Sequence, residues 1–252
     1  MFNHLKDIVR YVHDTGFVDH ALLVIFDDGE AGFTCMSRDS SMKIKGKYKN
    51  ALPQLRDQKL GVARMDVLSA YLRSAAFSSE GDNTAPSIDV LRRPTDNTPK
   101  GIEIKSSHGH KAVFRFMHPQ VAKSKITVTR TNAEIKDEDI SFQPCERFLK
   151  DFVAFSSVLR KFNTNFSLEV EGDCLYMNMG EDDTARIPVS SEMMEGKYIN
   201  PTYTWKIDNF LKVLKLAPTL EHVRIGVSEE YGVIEIIVDD ENVEVTYHLT
   251  HN

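Results

Sequence analysis

His108-Gly109-His110, with His118 close behind, is the densest group of side chains able to ligate a metal or move protons. Two histidines around a glycine also describe the tip of a hairpin. No cysteine or paired carboxylate stands at ligand spacing beside them, so the turn is the favoured reading and no metal site is expected. Glu181-Asp182-Asp183 and Asp239-Asp240-Glu241 fall in apparent turns, where solvated carboxylates are ordinary. There is no glycine-rich phosphate loop, no nucleophile elbow and no HExxH. A hydrolase with a loop-built site around His108, His110 and the acidic turns stays open as a second reading, because catalytic groups can converge from distant loops. Cys35, Cys145 and Cys174 are odd in number and widely spaced, which fits a reducing compartment and disfavours a disulfide framework.

The charged residues are more informative than the histidines. The chain of 252 residues carries a net charge of −6. The helical periodicities described below cover residues 2–14, 64–76, 145–162 and 204–216. These segments hold 11 Lys and Arg against 6 Asp and Glu, a net of +5, which leaves −11 on everything else. Lys6, Arg10 and His13 are spaced four and three apart, as one helical stripe requires. Arg73 lies across from Leu68 and Ala75. Lys150 and Lys161 share a face opposite a row of phenylalanines, with Arg147 and Arg160 at its flanks. Lys212 stands opposite Ile207 and Leu214, with Lys215 beside it. One amphipathic helix with a basic wet face means little. Four of them in an otherwise acidic chain point to a basic surface that meets a polyanion and an exterior that repels it.

The elements that would carry these residues can be read from periodicity. Helical spacing marks Leu5, Ile8, Val9 and Val12; Met65, Leu68, Leu72 and Ala75; Phe148, Phe152, Phe155, Leu159 and Phe162; and Ile207, Phe210, Leu211 and Leu214. Alternating strands fill most of the remainder, including Ala21 to Phe26, Gly32 to Met36, Met42 to Tyr48, Ile102 to Ile104, Ala112 to Phe116 and Ile126 to Thr129. A second series follows at Phe166 to Val170, Leu175 to Met179, Ala185 to Val189, Val223 to Val227, Val233 to Ile237 and Val243 to Tyr247. Spacing this close leaves no room for helical crossovers, so the sheets should be antiparallel. Helix, three strands, helix and further strands occur twice. This predicts an α+β chain of two similar domains, residues 1–131 and 140–252, joined by a charged connector at 132–139. Trp205 heads the last helix and reads as core.

Composition is ordinary for a globular chain, with 41% hydrophobic and 27% charged residues. No apolar run approaches the length of a membrane span, and the start of the sequence carries no basic-then-apolar leader.

Three stretches resemble the DNA sliding clamps, the processivity factors of replicative polymerases. Ala31 to Met42, with Arg38-Asp39-Ser40-Ser41, resembles the clamp segment in which a strand runs through an Asp-Ser-Ser turn into the next strand. Leu60-Gly61-Val62-Ala63 followed by Met65 to Arg73 resembles the short strand entering the second helix of a clamp domain. Trp205 to Pro218, His222 to Val227, Val233 to Val238 and Val243 to Leu249 are similar to the clamp C-terminus of helix, proline-containing loop and three strands. The chain length matches the two-domain type found in eukaryotes, archaea and T4-like phages, and the lack of a leading strand before the first helix is closest to the phage members.

The resemblance implies a homotrimeric ring of six domains, with sheets outside and helices lining a central pore. It implies no catalysis and no cofactor. Duplex DNA would be encircled without regard to sequence, held near Lys6, Arg10, His13, Arg73, Arg147, Lys150, Arg160, Lys161, Lys212 and Lys215. A DNA polymerase and a clamp loader would be the protein partners, in the cytoplasm at replication forks and away from membranes. The client pocket would draw on Leu216, Pro218, Tyr247, His248 and Leu249. Subunits would join through Lys125, Ile126, Val128 and Arg130 of one chain and Arg186, Ile187 and Val189 of the next. Pro188 supports an edge position for the second strand, because proline cannot donate to a ladder. A clamp-like subunit that assembles only with non-identical chains is the third reading.

Overall fold

The computed structural model describes residues 1–77, 86–126, 140–190, 197–228 and 230–251. The chain forms two compact units. One comprises residues 1–36, 45–127 and 241–243; the other comprises 37–44, 128–240 and 244–252.

The first unit opens directly with helix α1 (Phe2–Tyr11), which buries Leu5, Ile8, Val9 and Tyr11. The helix ends sooner than its periodicity suggests, because His13–Thr15 tighten into a 3-10 turn closed by Gly16 at φ 76°. Strands β1 (His20–Ile25), β2 (Ala31–Met36), β3 (Met42–Tyr48) and β4 (Gln58–Ala63) follow in the order β4-β1-β2-β3. Helix α2 (Met65–Arg73) buries Met65, Leu68, Ser69 and Leu72 and packs on α1. A second antiparallel sheet is built from β5 (Ser87–Arg92), β6 (Pro99–Lys105) and β7 (Lys111–Arg115), with β6 in the middle. Gly61 exchanges backbone hydrogen bonds with Met117, and a Cβ at Gly61 would lie 2.6 Å from the Met117 carbonyl oxygen. A glycine is therefore required where the chain leaves β7 and crosses β4.

Beyond that crossing the described chain forms a helix that periodicity does not mark. Residues Pro119–Ile126 form helix α3, which packs on β4, β1 and β2. Proline at the first helical position fits, and His118 caps the helix by accepting the Gln120 amide at 3.3 Å through Nδ1. Lys125 and Ile126 thus close a helix rather than open a strand. Val128 and Arg130 lie outside the described residues, as does the expected connector 132–139.

In the second unit β8 (Ile140–Phe142) leads into α4 (Glu146–Leu159), where the Cys145 sulfur accepts the Phe148 amide as a cap. Strands β9 (Asn165–Glu171), β10 (Cys174–Met179), β11 (Ala185–Ser190) and the two-residue β12 (Trp205–Lys206) form a sheet in the order β11-β10-β9-β12. Helix α5 (Ile207–Leu216) is followed by β13 (Val223–Val227), β14 (Val233–Asp239) and β15 (Val243–Thr250), with β8 pairing on β13. The strands β8 and β12 are too short to show a period, and the sequence pattern did not mark them.

The core of this unit is aromatic. Phe210 lies 6.4 Å from Phe148, 5.5 Å from Phe152 and 5.2 Å from Phe166, each edge to face. Trp205 is fully buried and donates its indole N–H to the Gly232 carbonyl at 3.0 Å. The expected apolar row on α4 is corrected by this packing. Phe148, Phe152, Ser156 and Leu159 face inward, whereas Phe155 is 47% and Phe162 77% exposed. A turn of 100° per residue carries Phe155 to the rim of the buried face, and Phe162 lies past the end of the helix.

The Asp-Ser-Ser turn belongs to the second unit and is tied down from three directions. The Asp39 carboxylate accepts from Ser37 Oγ and Ser41 Oγ, each at 2.7 Å, and from Lys206 Nζ at 2.5 Å. Asn209 of α5 donates to Ser41 Oγ at 2.9 Å, and the Thr250 amide of β15 donates to the Ser41 carbonyl at 3.0 Å. Partial burial pushes the Asp39 carboxyl up, but the Lys206 ammonium and the two serines outweigh it and hold the group well below the usual carboxylate range. Asp39→Asn should lower stability by about 1 kcal/mol near neutrality, a figure discounted for the exposure of the pair. The deficit should shrink as pH falls below the carboxylate range, because a depressed folded-state pKa gives stability that acid removes. Urea midpoints across that range check this.

His4 on α1 provides a test of opposite charge. Its Nε2 bonds the Asn50 carbonyl at 3.0 Å, its ring lies 4.5 Å from that of Tyr48, and its buried Nδ1 has no partner. Burial lowers its pKa; the Asn50 bond opposes this in part, and the Met1 ammonium adds to the lowering. The unfolded chain therefore takes up the proton first. The stability from neutral His4 is complete above the ordinary histidine pKa of about 6.5 and is lost as pH falls through the lower folded value. Melting temperature should drop between about pH 7 and pH 5, and the drop should be smaller in His4→Gln.

Candidate nucleic-acid interface

The two helices of the first unit bring together cations that lie far apart in sequence. Lys6 and Arg10 of α1 and Arg73 of α2 line one open cleft of about 640 Å³, with Asp7, Val9, Asp14 and Leu72. Burial of Leu5, Ile8 and Val9 on one side of α1 and of Leu68 and Leu72 on α2 sets this outward aim. Lys6 lies 4.7 Å over the Phe2 ring and Arg10 5.0 Å over that of Tyr11, which steadies both long side chains. His13 leaves the stripe, since α1 ends before it and the residue is half-buried in the 3-10 turn.

In the second unit, Arg147, Lys150, Arg160, Lys161, Lys212 and Lys215 are all exposed. Lys150 lies on α4 opposite the inward Phe148 and Phe152, whereas Lys161 sits just past its last residue, Leu159. Lys212 and Lys215 occupy the wet side of α5, whose other side buries Phe210, Leu211, Val213 and Leu214.

Several of these cations already hold a carboxylate. Asp14 pairs with Arg73, and Asp208 of α5 pairs with Arg160 at 3.3 Å. Along α4, Glu146 lies 3.4 Å from Lys150 and Asp151 4.0 Å from Arg147. The two α4 pairs have the four-residue spacing that a sequence displays. The other two join residues 48 and 59 positions apart, and nothing local in the sequence signals them.

The expected client residues divide. Pro218 is exposed and lines a cavity of about 840 Å³ together with Pro144, Cys145, Leu149, Leu214 and Leu220. Leu216 is half-buried. Tyr247, His248 and Leu249 are 0%, 2% and 1% exposed, which corrects the expectation that they face a partner. They lie in β15 opposite Ile236, Glu235 and Ile234, and His248 Nε2 sits 2.9 Å from the Glu235 carboxylate.

The expected joining residues are corrected in part as well. β11 is an edge strand, with Arg186 and Pro188 exposed, but Ile187 and Val189 point into the unit's own core. Arg186 is held by Glu169 and Glu171 and covers the Tyr176 ring at 3.9 Å. The pairing of β10 with β11 shifts register beside Pro188. In the first unit β7 is one of the edge strands among the described residues, whereas Lys125 and Ile126 end α3.

His108 and His110 occupy the exposed tip between β6 and β7, where His110 Nδ1 meets Ser106 Oγ at 3.2 Å. Among the described residues, no group of three or more His, Cys, Asp or Glu side chains could hold a metal ion. No described helix is long and apolar enough to cross a membrane.

No protein-family model and no curated protein matches the sequence. Solved structures do match along its whole length. A structure described as the C-terminal region of FEN-1 bound to A. fulgidus PCNA matches 100% of this chain and 96% of its own, with a TM-score of 0.67 and 12% identity. The proliferating cellular nuclear antigen of Entamoeba histolytica matches 100% of this chain and 94% of its own, with a TM-score of 0.61 and 10% identity. PCNA of Thermococcus kodakaraensis matches 100% and 97%, with a TM-score of 0.65 and 7% identity. With its two units of antiparallel sheet and paired helices, the chain therefore has the DNA clamp fold that the Asp-Ser-Ser turn and the order of elements suggested.

Proposed function

We propose that the protein is a DNA sliding clamp, a polymerase processivity factor that encircles duplex DNA as a homotrimer. The carrying observation is the full-length clamp fold whose helical segments carry a net positive charge in an acidic chain. A closed ring needs only weak, sequence-independent phosphate contacts, because topology rather than affinity prevents its loss. Isolated Lys and Arg on rigid helices suit that task, and base readout is unnecessary. The protein would act without a cofactor or catalysis, taking a polymerase and a clamp loader as partners at cytoplasmic replication forks. The PCNA bound to a FEN-1 segment supports the role of client platform.

Changing Lys150 and Lys161 to Glu should leave the oligomer intact, weaken DNA retention and lower polymerase processivity on primed template. Unchanged processivity in that variant, and in one with Arg10 and Lys212 changed likewise, would refute the DNA-facing assignment.

Subunits would join edge to edge, β7 of one copy against β11 of the next, since unpaired edges otherwise invite aggregation. Lys111 and Arg115 on β7 would meet Asp182 and Asp183 beside β11, all four exposed. Replacing Ile187 would damage the unit's own core and is a poor probe. Val113 is 43% exposed on β7, so Val113→Asp with Arg115→Glu should give folded monomers in native mass spectra. An intact trimer at micromolar concentration would place the interface elsewhere.

A further inference from the structure

We infer that Asp14, Glu146, Asp151 and Asp208 are built-in competitors for the DNA phosphates, holding the cations of the basic surface in a weak-binding state. The inference rests on the clamp reading and concerns how that surface is tuned. Asp14 pairs with Arg73, Asp208 with Arg160, Glu146 with Lys150 and Asp151 with Arg147, so four of the expected DNA contacts carry a carboxylate. The pairs occur in both units and take two forms, along one helix and between neighbouring elements. They add little to stability, because the cations are at least half exposed and such pairs are worth little in water.

Their effect on binding is larger in kind. A phosphate that approaches Arg73 must displace or share it with Asp14. A cation already neutralised releases fewer counterions from DNA, so both the affinity and its salt dependence fall. The carboxylates also pre-position the side chains, which lets a phosphate exchange for a carboxylate in small steps as the duplex moves past. A bare array of guanidinium and ammonium groups would grip the backbone and slow that movement. The sequence already shows the economy behind this: the four helical segments carry 6 acids among their 11 bases, and four of the 6 are these partners.

The test neutralises the acids while keeping their shape: Asp14→Asn, Glu146→Gln, Asp151→Asn and Asp208→Asn in one full-length protein. A second variant carries only the two α4 changes, in case the first disturbs the packing of α1 on α2. A control neutralises Asp27, Glu30, Asp173 and Glu244, exposed carboxylates on turns and strands, so that net charge changes equally. Binding to a duplex is followed by anisotropy between about 50 and 200 mM salt. The fourfold variant should bind about three- to tenfold tighter at the low end, with a steeper salt slope, and the α4 variant should show a smaller change of the same sign. Single-molecule tracking of the loaded protein should show slower diffusion. Affinity and slope equal to those of the control would overturn the inference, even if Lys150→Glu with Lys161→Glu weakens binding as expected. Failure of that lysine variant to weaken binding would instead overturn the clamp reading on which the inference stands.

Discussion

Burial of the apolar faces of α4 and α5 against one aromatic cluster decides which way their lysines point. Phe148 and Phe152 enter that cluster from α4, Phe210 from α5, and Phe166 and Trp205 from the adjoining sheet. Each ring has neighbours at edge-to-face distance, so neither helix can turn about its axis without opening a void. The outward direction of Lys150 and Lys212 follows from that constraint. The proposed role needs charge at fixed positions on a rigid support, and the support is hydrocarbon. The first unit reaches the same end with aliphatic side chains, and there the flat faces of Phe2 and Tyr11 also carry Lys6 and Arg10 directly.

The sequence makes the large elements visible because each has one wet and one dry side. Four helices and most strands follow from spacing alone, and so does the segregation of charge onto the helices. The failures share a cause: the deciding contact is not local. Helix α3 buries only Ala122, so its sequence shows no stripe, and Ile126 with Val128 alternates as a strand would. Tyr247, His248 and Leu249 occupy consecutive positions yet are all buried, which alternation cannot foresee for a strand covered on both sides. Phe155 and Phe162 have helical spacing but no partner surface within the unit's core.

The candidate site was legible to about the same depth. The cations were found from their spacing, whereas the cleft that joins Lys6, Arg10 and Arg73 needed the packing of α1 on α2. The acids that temper them were half visible, since Glu146 and Asp151 stand at helical spacing while Asp14 and Asp208 reach across the fold. Of the clustered histidines, His118 caps a helix and His110 meets the Ser106 hydroxyl at a hairpin tip.

The residue content of the two units bears on how the chain acquires its structure. The second unit takes residues 37–44 from early in the sequence, and the first takes 241–243 from near its end. The Asp39 hub is therefore assembled from partners 167 and 168 positions away, Lys206 for the carboxylate and Asn209 for the neighbouring serine. During synthesis the early segment must wait, without its partners, until almost the whole chain has emerged. Closing loops of that length is slow, and contacts so distant in sequence reward the chain only late. A cut between the two repeats would give halves that each lack a piece of their own unit. The Asp39 hub is thus among the last contacts of the second unit to form.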